Sequence, residues 1–254
     1  MSGKLRVVGL GPGEPSGLTR EAEAALAEAE MLYGYGPYLA RVAEKPGQRR
    51  HASDNREEGA RARAALDAAT AGASVTLVSG GDPGVFAMAA AVCEQIESGP
   101  ESWRSLDVAV IPGVSAMLAV AARAGAPLGN DFCAISLSDN LKPWTVVERR
   151  LAAAAEAGFV IALYNPISRA RPWQLGAAFA ILSRLLPTTT PVVFGRGVGR
   201  AGERLVVTSL EQAATEPADM ASLIIVGSRE TRIVSRAGRD PLVYTPRSVE
   251  EARR

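Results

Sequence analysis

Arg6-Val7-Val8-Gly9-Leu10-Gly11-Pro12-Gly13-Glu14-Pro15-Ser16-Gly17-Leu18-Thr19 runs from a short apolar strand through a Gly/Pro loop into a helix. Glycine has no Cβ, so such a loop lets backbone approach a ligand closely. It is not a dinucleotide loop. G-x-G-x-x-G would need glycine where Glu14 stands, and Pro12 lacks the N–H that a pyrophosphate would take. The stretch therefore predicts an α/β chain whose pocket serves some other ligand.

The same alternation continues along the chain. Residues 5–8, 74–78 and 107–111 read as strands in the first half, and 31–33 is a short apolar piece. Residues 132–137, 159–164, 191–194, 204–208 and 223–227 read as strands in the second half. Helices fit at 19–30, 57–71, 86–97, 115–124, 145–157 and 175–185. Thr19 is the expected N-cap of the first, with Glu21 and Glu23 placed where the helix dipole favours negative charge. Two α/β domains are predicted, 1–113 and 114–254, joined without a low-complexity linker.

Composition narrows the function classes. The chain has 254 residues, room for one large domain or two ordinary ones. Its 28 basic and 27 acidic residues nearly cancel, so neither nucleic acid nor an anionic membrane is an expected partner. No apolar run reaches the roughly 20 residues of a membrane span. Met1-Ser2-Gly3-Lys4 lacks the apolar core of a signal peptide, and a cytoplasmic protein is expected. Cys93 and Cys133 form no metal spacing with each other or with His51, so no metal is expected. The spacing of the two cysteines permits a disulfide, although reduced thiols suit the cytoplasm better. Only Lys4, Lys45 and Lys142 among the basic residues are lysine. That bias fits a GC-rich coding sequence, and it also fits arginine forks that take carboxylates.

Gly197-Val198-Gly199-Arg200-Ala201-Gly202 is a literal G-x-G-x-x-G, yet the β-branched stretch after it predicts a strand where the dinucleotide fingerprint needs a helix. A hairpin-type turn is expected there. G-x-S-x-G around Ser115 is broken by Met117, and His51 has no nucleophile motif beside it. What remains is five strand-ending loops: Gly11-Pro12-Gly13, Gly80 to Phe86, Pro112 to Ala116, Tyr164-Asn165-Pro166 and Gly195-Arg196-Gly197. Ligands of open α/β sheets sit beyond the carboxyl ends of strands, where these loops would lie.

That order of loops resembles the tetrapyrrole (corrin/porphyrin) methyltransferases, from about Arg6 to Pro246. Tyr33-Gly34-Tyr35-Gly36-Pro37-Tyr38-Leu39, Gly80 to Ala89, Leu141-Lys142-Pro143-Trp144, Ala162 to Pro166 and Thr245-Pro246-Arg247 look like the ring-contracting branch of that family, which serves cobalamin synthesis. Ser53-Asp54-Asn55-Arg56 and Met220-Ala221-Ser222 depart from the branch, which more often has a Gly-Met pair and threonines there.

The resemblance implies two α/β domains of the tetrapyrrole methylase type with the active site in the cleft between them. It implies S-adenosylmethionine as methyl donor, S-adenosylhomocysteine as product and a homodimer. The expected reaction methylates precorrin-3B at C-17 and contracts the ring to precorrin-4. Holding sulfur, methyl and carbon in line is then most of catalysis, a proximity effect of roughly 7–11 kcal/mol. Pro12, Gly81, Asp82, Val85, Phe86, Ser115, Ala116, Tyr164, Asn165 and Gly197 are the expected donor contacts. In that pattern Asn165 and Gly197 fall near the adenine and the Gly81 to Phe86 loop near the methionine moiety.

Contraction would be favoured by a base near a C-20 hydroxyl, and Asp82 is the first candidate, followed by Glu58, Asp54 and His51. A loop-stabilising carboxylate is the other reading of Asp82. His51, Asp54, Arg56, Glu58, Arg61 and Arg196 are the expected substrate contacts, the arginines for its acetate and propionate groups. Three alternatives stand beside this one: the same fold acting on another tetrapyrrole such as cobalt-factor III, a dinucleotide-binding oxidoreductase, and a non-catalytic binder that keeps the fold.

Overall fold

The computed structural model of the protein describes residues 3–168 and 170–248, and the chain divides into two units, Met1–Ala116 and Met117–Arg254. The first unit carries β1 (Lys4–Gly9), α1 (Arg20–Glu28), β2 (Met31–Tyr35), α2 (Gly36–Leu39), β3 (Arg49–Ser53), α3 (Glu58–Thr70), β4 (Ser74–Ser79), α4 (Met88–Ser98), α5 (Glu101–Arg104) and β5 (Asp107–Ile111). Its strands form one sheet in the order β3-β2-β4-β1-β5, with every pairing parallel. The inner strands β2, β4 and β1 are covered on both faces, which is why their sequences are mostly apolar, whereas the edge strands β3 and β5 are partly exposed. Leu5, Val7 and Val8 of β1 and Val75, Leu77 and Val78 of β4 are fully buried.

Helices cover both faces. Ala62, Ala65, Leu66 and Ala69 of α3 pack with Met88, Ala89 and Val92 of α4 against Leu5, Val7, Val75 and Leu77. Ala22, Ala25 and Leu26 of α1 pack on the other face against Val8, Leu32, Val78 and Ile111. Thr19 caps α1 as expected, its Oγ1 accepting from the Ala22 N–H at 3.1 Å. From β1 the chain crosses one way to β2, and from β4 it crosses the other way to β5. Right-handed crossovers in opposite directions put the helices on opposite faces, and in sheets of this kind ligands bind beyond the carboxyl ends of the strands where the direction changes, here β1 and β4.

The second unit continues with α6 (Ala116–Ala124, its first residue closing the first unit), β6 (Gly125–Ala126), β7 (Phe132–Ser136), α7 (Trp144–Glu156), β8 (Val160–Tyr164), α8 (Gln174–Leu182), β9 (Pro191–Arg196), β10 (Arg204–Ser209), β11 (Ser222–Val226), β12 (Arg232–Arg236) and β13 (Arg239–Tyr244). Its main sheet has the order β10-β9-β11-β8-β7; only β7 and β8 run parallel. Leu151, Leu163, Leu182, Phe194 and Ile224 centre the core beneath it. β12, β13 and β6 make a small separate sheet.

β9 and β10 form an antiparallel hairpin with Arg196 opposite Arg204, so a strand follows Gly202 and the dinucleotide reading falls. α4 begins two residues later than expected, because Phe86 adopts a left-handed φ of 52° and Ala87 is extended. Both cysteines are free, and burial raises the pKa of the Cys133 thiol. Among the described residues no helix is long and apolar enough to cross a membrane.

Candidate active site

Because the five strands of the first unit are parallel, the segments after β1, β3, β4 and β5 leave the same edge of the sheet. Three of these approach at backbone distance. Gly11 and Gly81 exchange N–H···O bonds of 3.2 and 2.9 Å, with φ of 65° and 66°. A Cβ on Gly9 would lie 2.6 Å from the Gly113 nitrogen, and one on Gly113 would lie 2.4 Å from the Gly81 oxygen. Only glycine fits such a crossing. Arg41 holds the first loop from outside, its Nη2 donating to the carbonyls of Leu10, Gly11 and Gly13 at 2.8, 2.9 and 2.6 Å. Pro12 lies inside this clamped turn. Nothing in the sequence near Arg41 signals the role, since its partners are about 30 residues away.

Asp82 ties the second loop to the third. Oδ1 accepts from the Gly84 N–H at 2.8 Å and Oδ2 from the Gly113 N–H at 3.1 Å. Ser115 and Ala116 come within 3.8 Å of the position a Gly81 Cβ would take. Val85 donates its N–H to the Asp82 carbonyl at 3.3 Å, and Phe86 follows, 52% exposed in its left-handed conformation. Pro12, Gly81, Asp82, Val85, Phe86, Ser115 and Ala116 thus line the same edge of this unit.

The turn after β3 is built by short side chains that bond nearby backbone. The Asp54 N–H donates to Glu57 Oε2, the Asn55 N–H to Asp54 Oδ1 and the Arg56 N–H to Asn55 Oδ1. Arg56 stands at φ 71° and is exposed. Glu58 opens α3, and His51 lies flat on Tyr33 with ring centroids 4.5 Å apart. Burial raises the pKa of the Tyr33 phenol. Arg61, expected to take substrate carboxylates, has its guanidinium engaged by its own unit. It is only 5% exposed; Nε donates to Ser53 Oγ at 2.6 Å, Nη2 to the Asp54 carbonyl at 2.6 Å and Nη1 to Met88 Sδ at 3.3 Å. Its guanidinium is therefore turned into the fold and braces the turn, because β3 and α4 close over it. Burial lowers its pKa, while Glu58, Glu57 and Tyr38 favour the cation.

In the second unit, the ends of β7 and β8 are joined by the Leu137 N–H to the Tyr164 carbonyl at 2.9 Å and by Asn165 Nδ2 to Ser136 Oγ at 2.9 Å. Asn165 is left-handed, with φ 50°. The Tyr164 hydroxyl accepts from the Met117 N–H at 3.2 Å, which fixes the start of α6. Gly197, at φ 57°, heads the β9–β10 turn and donates to the Ala221 carbonyl. Arg196 is paired with Asp219, its Nε 2.8 Å from Oδ2. Burial raises the Asp219 pKa, but the bonds from Arg196, Ser222 and the Ala221 N–H outweigh it and hold the carboxyl below its ordinary value.

Among the described residues the non-glycine positions with positive φ are Arg56, Phe86 and Asn165, and each is an expected contact residue. Asparagine tolerates this region; phenylalanine and arginine do so at a cost of order 1–3 kcal/mol. Strained backbone of this kind clusters in loops that clamp a ligand.

The sequence matches the family described as Tetrapyrrole (Corrin/Porphyrin) Methylases over residues 4–214. It is 62% identical over 247 residues to a Precorrin-3B C(17)-methyltransferase of Sinorhizobium sp, covering 97% of both chains. Its structure is similar to the crystal structure of the methyltransferase CobJ, with a TM-score of 0.91, 47% identity and coverage of 96% of this chain and 100% of that one. It is also similar to Uroporphyrin-III C-methyl transferase from Thermus thermophilus complexed with S-adenyl homocysteine, with a TM-score of 0.69, 25% identity and coverage of 89% and 97%.

Proposed function

This chain belongs to the tetrapyrrole (corrin/porphyrin) methylases, and on that premise we propose that it methylates precorrin-3B at C-17 and contracts the ring to precorrin-4. The near full-length likeness to the Sinorhizobium enzyme carries this choice of acceptor. S-adenosylmethionine supplies a sulfonium methyl group; electron-rich C-17 forms the new bond, and sulfur leaves with the electron pair as S-adenosylhomocysteine. Loss of the C-20 hydroxyl proton then drives the rearrangement that excludes C-20 from the ring and leaves it as an acetyl group.

The loop edge of the first unit fits a donor of this kind. Gly81 presents backbone without a Cβ, and Phe86, half exposed, stands at the end of the same loop. Pro12, Gly81, Asp82, Val85, Phe86, Ser115 and Ala116 are our donor contacts in this unit, with Tyr164, Asn165 and Gly197 in the second. Asp82 acts in this reading by holding the loop, since both its oxygens face backbone N–H groups. The base role passes to the exposed groups at the turn after β3, Glu58, Asp54 and His51. Arg56 and Arg196 remain the candidates for substrate carboxylates, Arg196 by exchanging Asp219 for them. The reading extends to a cytoplasmic homodimer.

The test is an anaerobic incubation of the purified protein with precorrin-3B and methyl-labelled S-adenosylmethionine, read by product mass and absorbance. One labelled methyl and the spectrum of a contracted ring are expected. Donor binding with no change in precorrin-3B, followed by turnover of cobalt-factor III, would overturn the choice of acceptor.

A further inference from the structure

Arg61 presents a chemical oddity: a buried arginine, 5% exposed, whose hydrogen-bond acceptors are all uncharged. Glu57 and Glu58 act on it through space, yet neither forms an ion pair with it. Burying a cation without its anion is costly, so the position calls for an explanation. The hydroxyl of Ser53 supplies one. Its oxygen accepts from Arg61 Nε at 2.6 Å, and a hydroxyl has a single proton. That proton must point away from the guanidinium, and among the described residues it meets no acceptor.

From this we propose that Ser53 is a binding residue for a carboxylate of the tetrapyrrole, with Arg61 as the positioning residue that polarises and aims it. The proposal rests on the function assigned above, which supplies a substrate bearing acetate and propionate groups. Ser53 is the last residue of β3 and lies on the same edge of the sheet as the donor loops. A hydroxyl that accepts from a cation is a stronger donor to an anion, because successive hydrogen bonds polarise one another. An anion at Ser53 would also approach the charge that its own fold leaves unpaired. Arg61 Nη1 reaches Met88, the first residue of α4, so the same guanidinium sets Ser53 relative to the loop that ends at Ala87.

The experiment compares wild type, Ser53→Ala, Ser53→Thr and Ser53→Val in steady-state turnover of precorrin-3B, with S-adenosylhomocysteine titrated into each by calorimetry. Ser53→Ala is expected to raise KM for precorrin-3B about tenfold or more, as loss of a hydrogen bond to a charged group does. Its kcat should stay within about twofold, and S-adenosylhomocysteine should bind as to wild type. Ser53→Thr, which keeps the hydroxyl, should stay near the wild-type KM, whereas Ser53→Val, of the same shape, should behave as alanine does. If alanine impairs folding, the Thr/Val pair decides the matter. Equal KM in that pair, or a KM for Ser53→Ala within twofold of wild type, overturns the proposal alone. A wild-type protein that binds S-adenosylhomocysteine and leaves precorrin-3B unchanged overturns the functional reading, and this proposal with it.

Discussion

Asp82 Oδ2 sits 3.1 Å from the Gly113 nitrogen, so one carboxylate spans the segments that follow β4 and β5. Its other oxygen closes the turn at Gly84. Asp82→Asn keeps an acceptor for one of these N–H groups and turns an NH2 toward the other. We expect a loss of about 1–3 kcal/mol in urea unfolding. S-adenosylhomocysteine affinity should weaken, and methylation and contraction should fall together. A variant that methylates normally but no longer contracts the ring would return Asp82 to the role of base.

Gly113→Ala tests the backbone crossing itself. The new methyl would meet the Gly81 oxygen at 2.4 Å and the Gly9 carbonyl carbon at 2.9 Å, neither of which can swing aside as a side chain would. The expected cost is about 1–3 kcal/mol in thermal or urea unfolding, with donor binding lost. Gly176→Ala is the control. It lies exposed in α8 with nothing near its Cβ position, and should gain up to about 1 kcal/mol.

Phe86→Gly separates strain from binding. The substitution relieves a left-handed phenylalanine, worth about 1–2 kcal/mol, and loosens the unfolded chain by a comparable amount. Stability should therefore change by less than about 1 kcal/mol. S-adenosylhomocysteine affinity, measured by calorimetry, should drop about tenfold through loss of an aromatic contact. Unchanged affinity would remove Phe86 from the donor site.

How far all this was readable depends on where burial comes from. β1 and β4 announce themselves because the inner strands of the sheet are covered on both faces and are mostly apolar, and β5 by its run Val108-Ala109-Val110-Ile111, although it lies at the edge. β3 gave no such sign: Arg49-Arg50-His51-Ala52-Ser53 is an edge strand whose charges suit its position. β12 is exposed throughout and β13 half exposed, and Pro241 within the second breaks its apolar pattern in the sequence. Glycine spacing marked the loops, but which side chains they would gather was illegible. Arg61 reads like any helical surface arginine, and only Ser53 and Met88, 8 and 27 residues away, make it a buried brace. Phe86 reads as the start of a helix because a sequence pattern carries no φ.

Asp219 gives a pH prediction with a definite sign. Its folded carboxyl titrates below the ordinary value, the bonds from Arg196, Ser222 and Ala221 overcoming the effect of burial. A depressed carboxylate contributes stability above its unfolded pKa of about 4, and loses it as pH falls through the lower folded value. Asp219→Asn should cost roughly 1 kcal/mol at neutral pH, since Arg196 and Asp219 are both partly exposed and screened. The gap between variant and wild type should close as unfolding is measured at progressively more acid pH. A gap that persists unchanged would show that the charge of Asp219 contributes nothing.

The strand order of the first unit also has a meaning in time. β1 is made first, yet both its neighbours, β4 and β5, come from residues 74–79 and 107–111. Its apolar residues stay without either partner strand while the intervening chain is synthesised. At about 5–20 residues per second, β5 arrives roughly 5–20 s after β1. A nascent chain stalled before Asp107 would carry Leu5, Val7 and Val8 beside an open sheet edge, the form in which chaperones and aggregation compete for it.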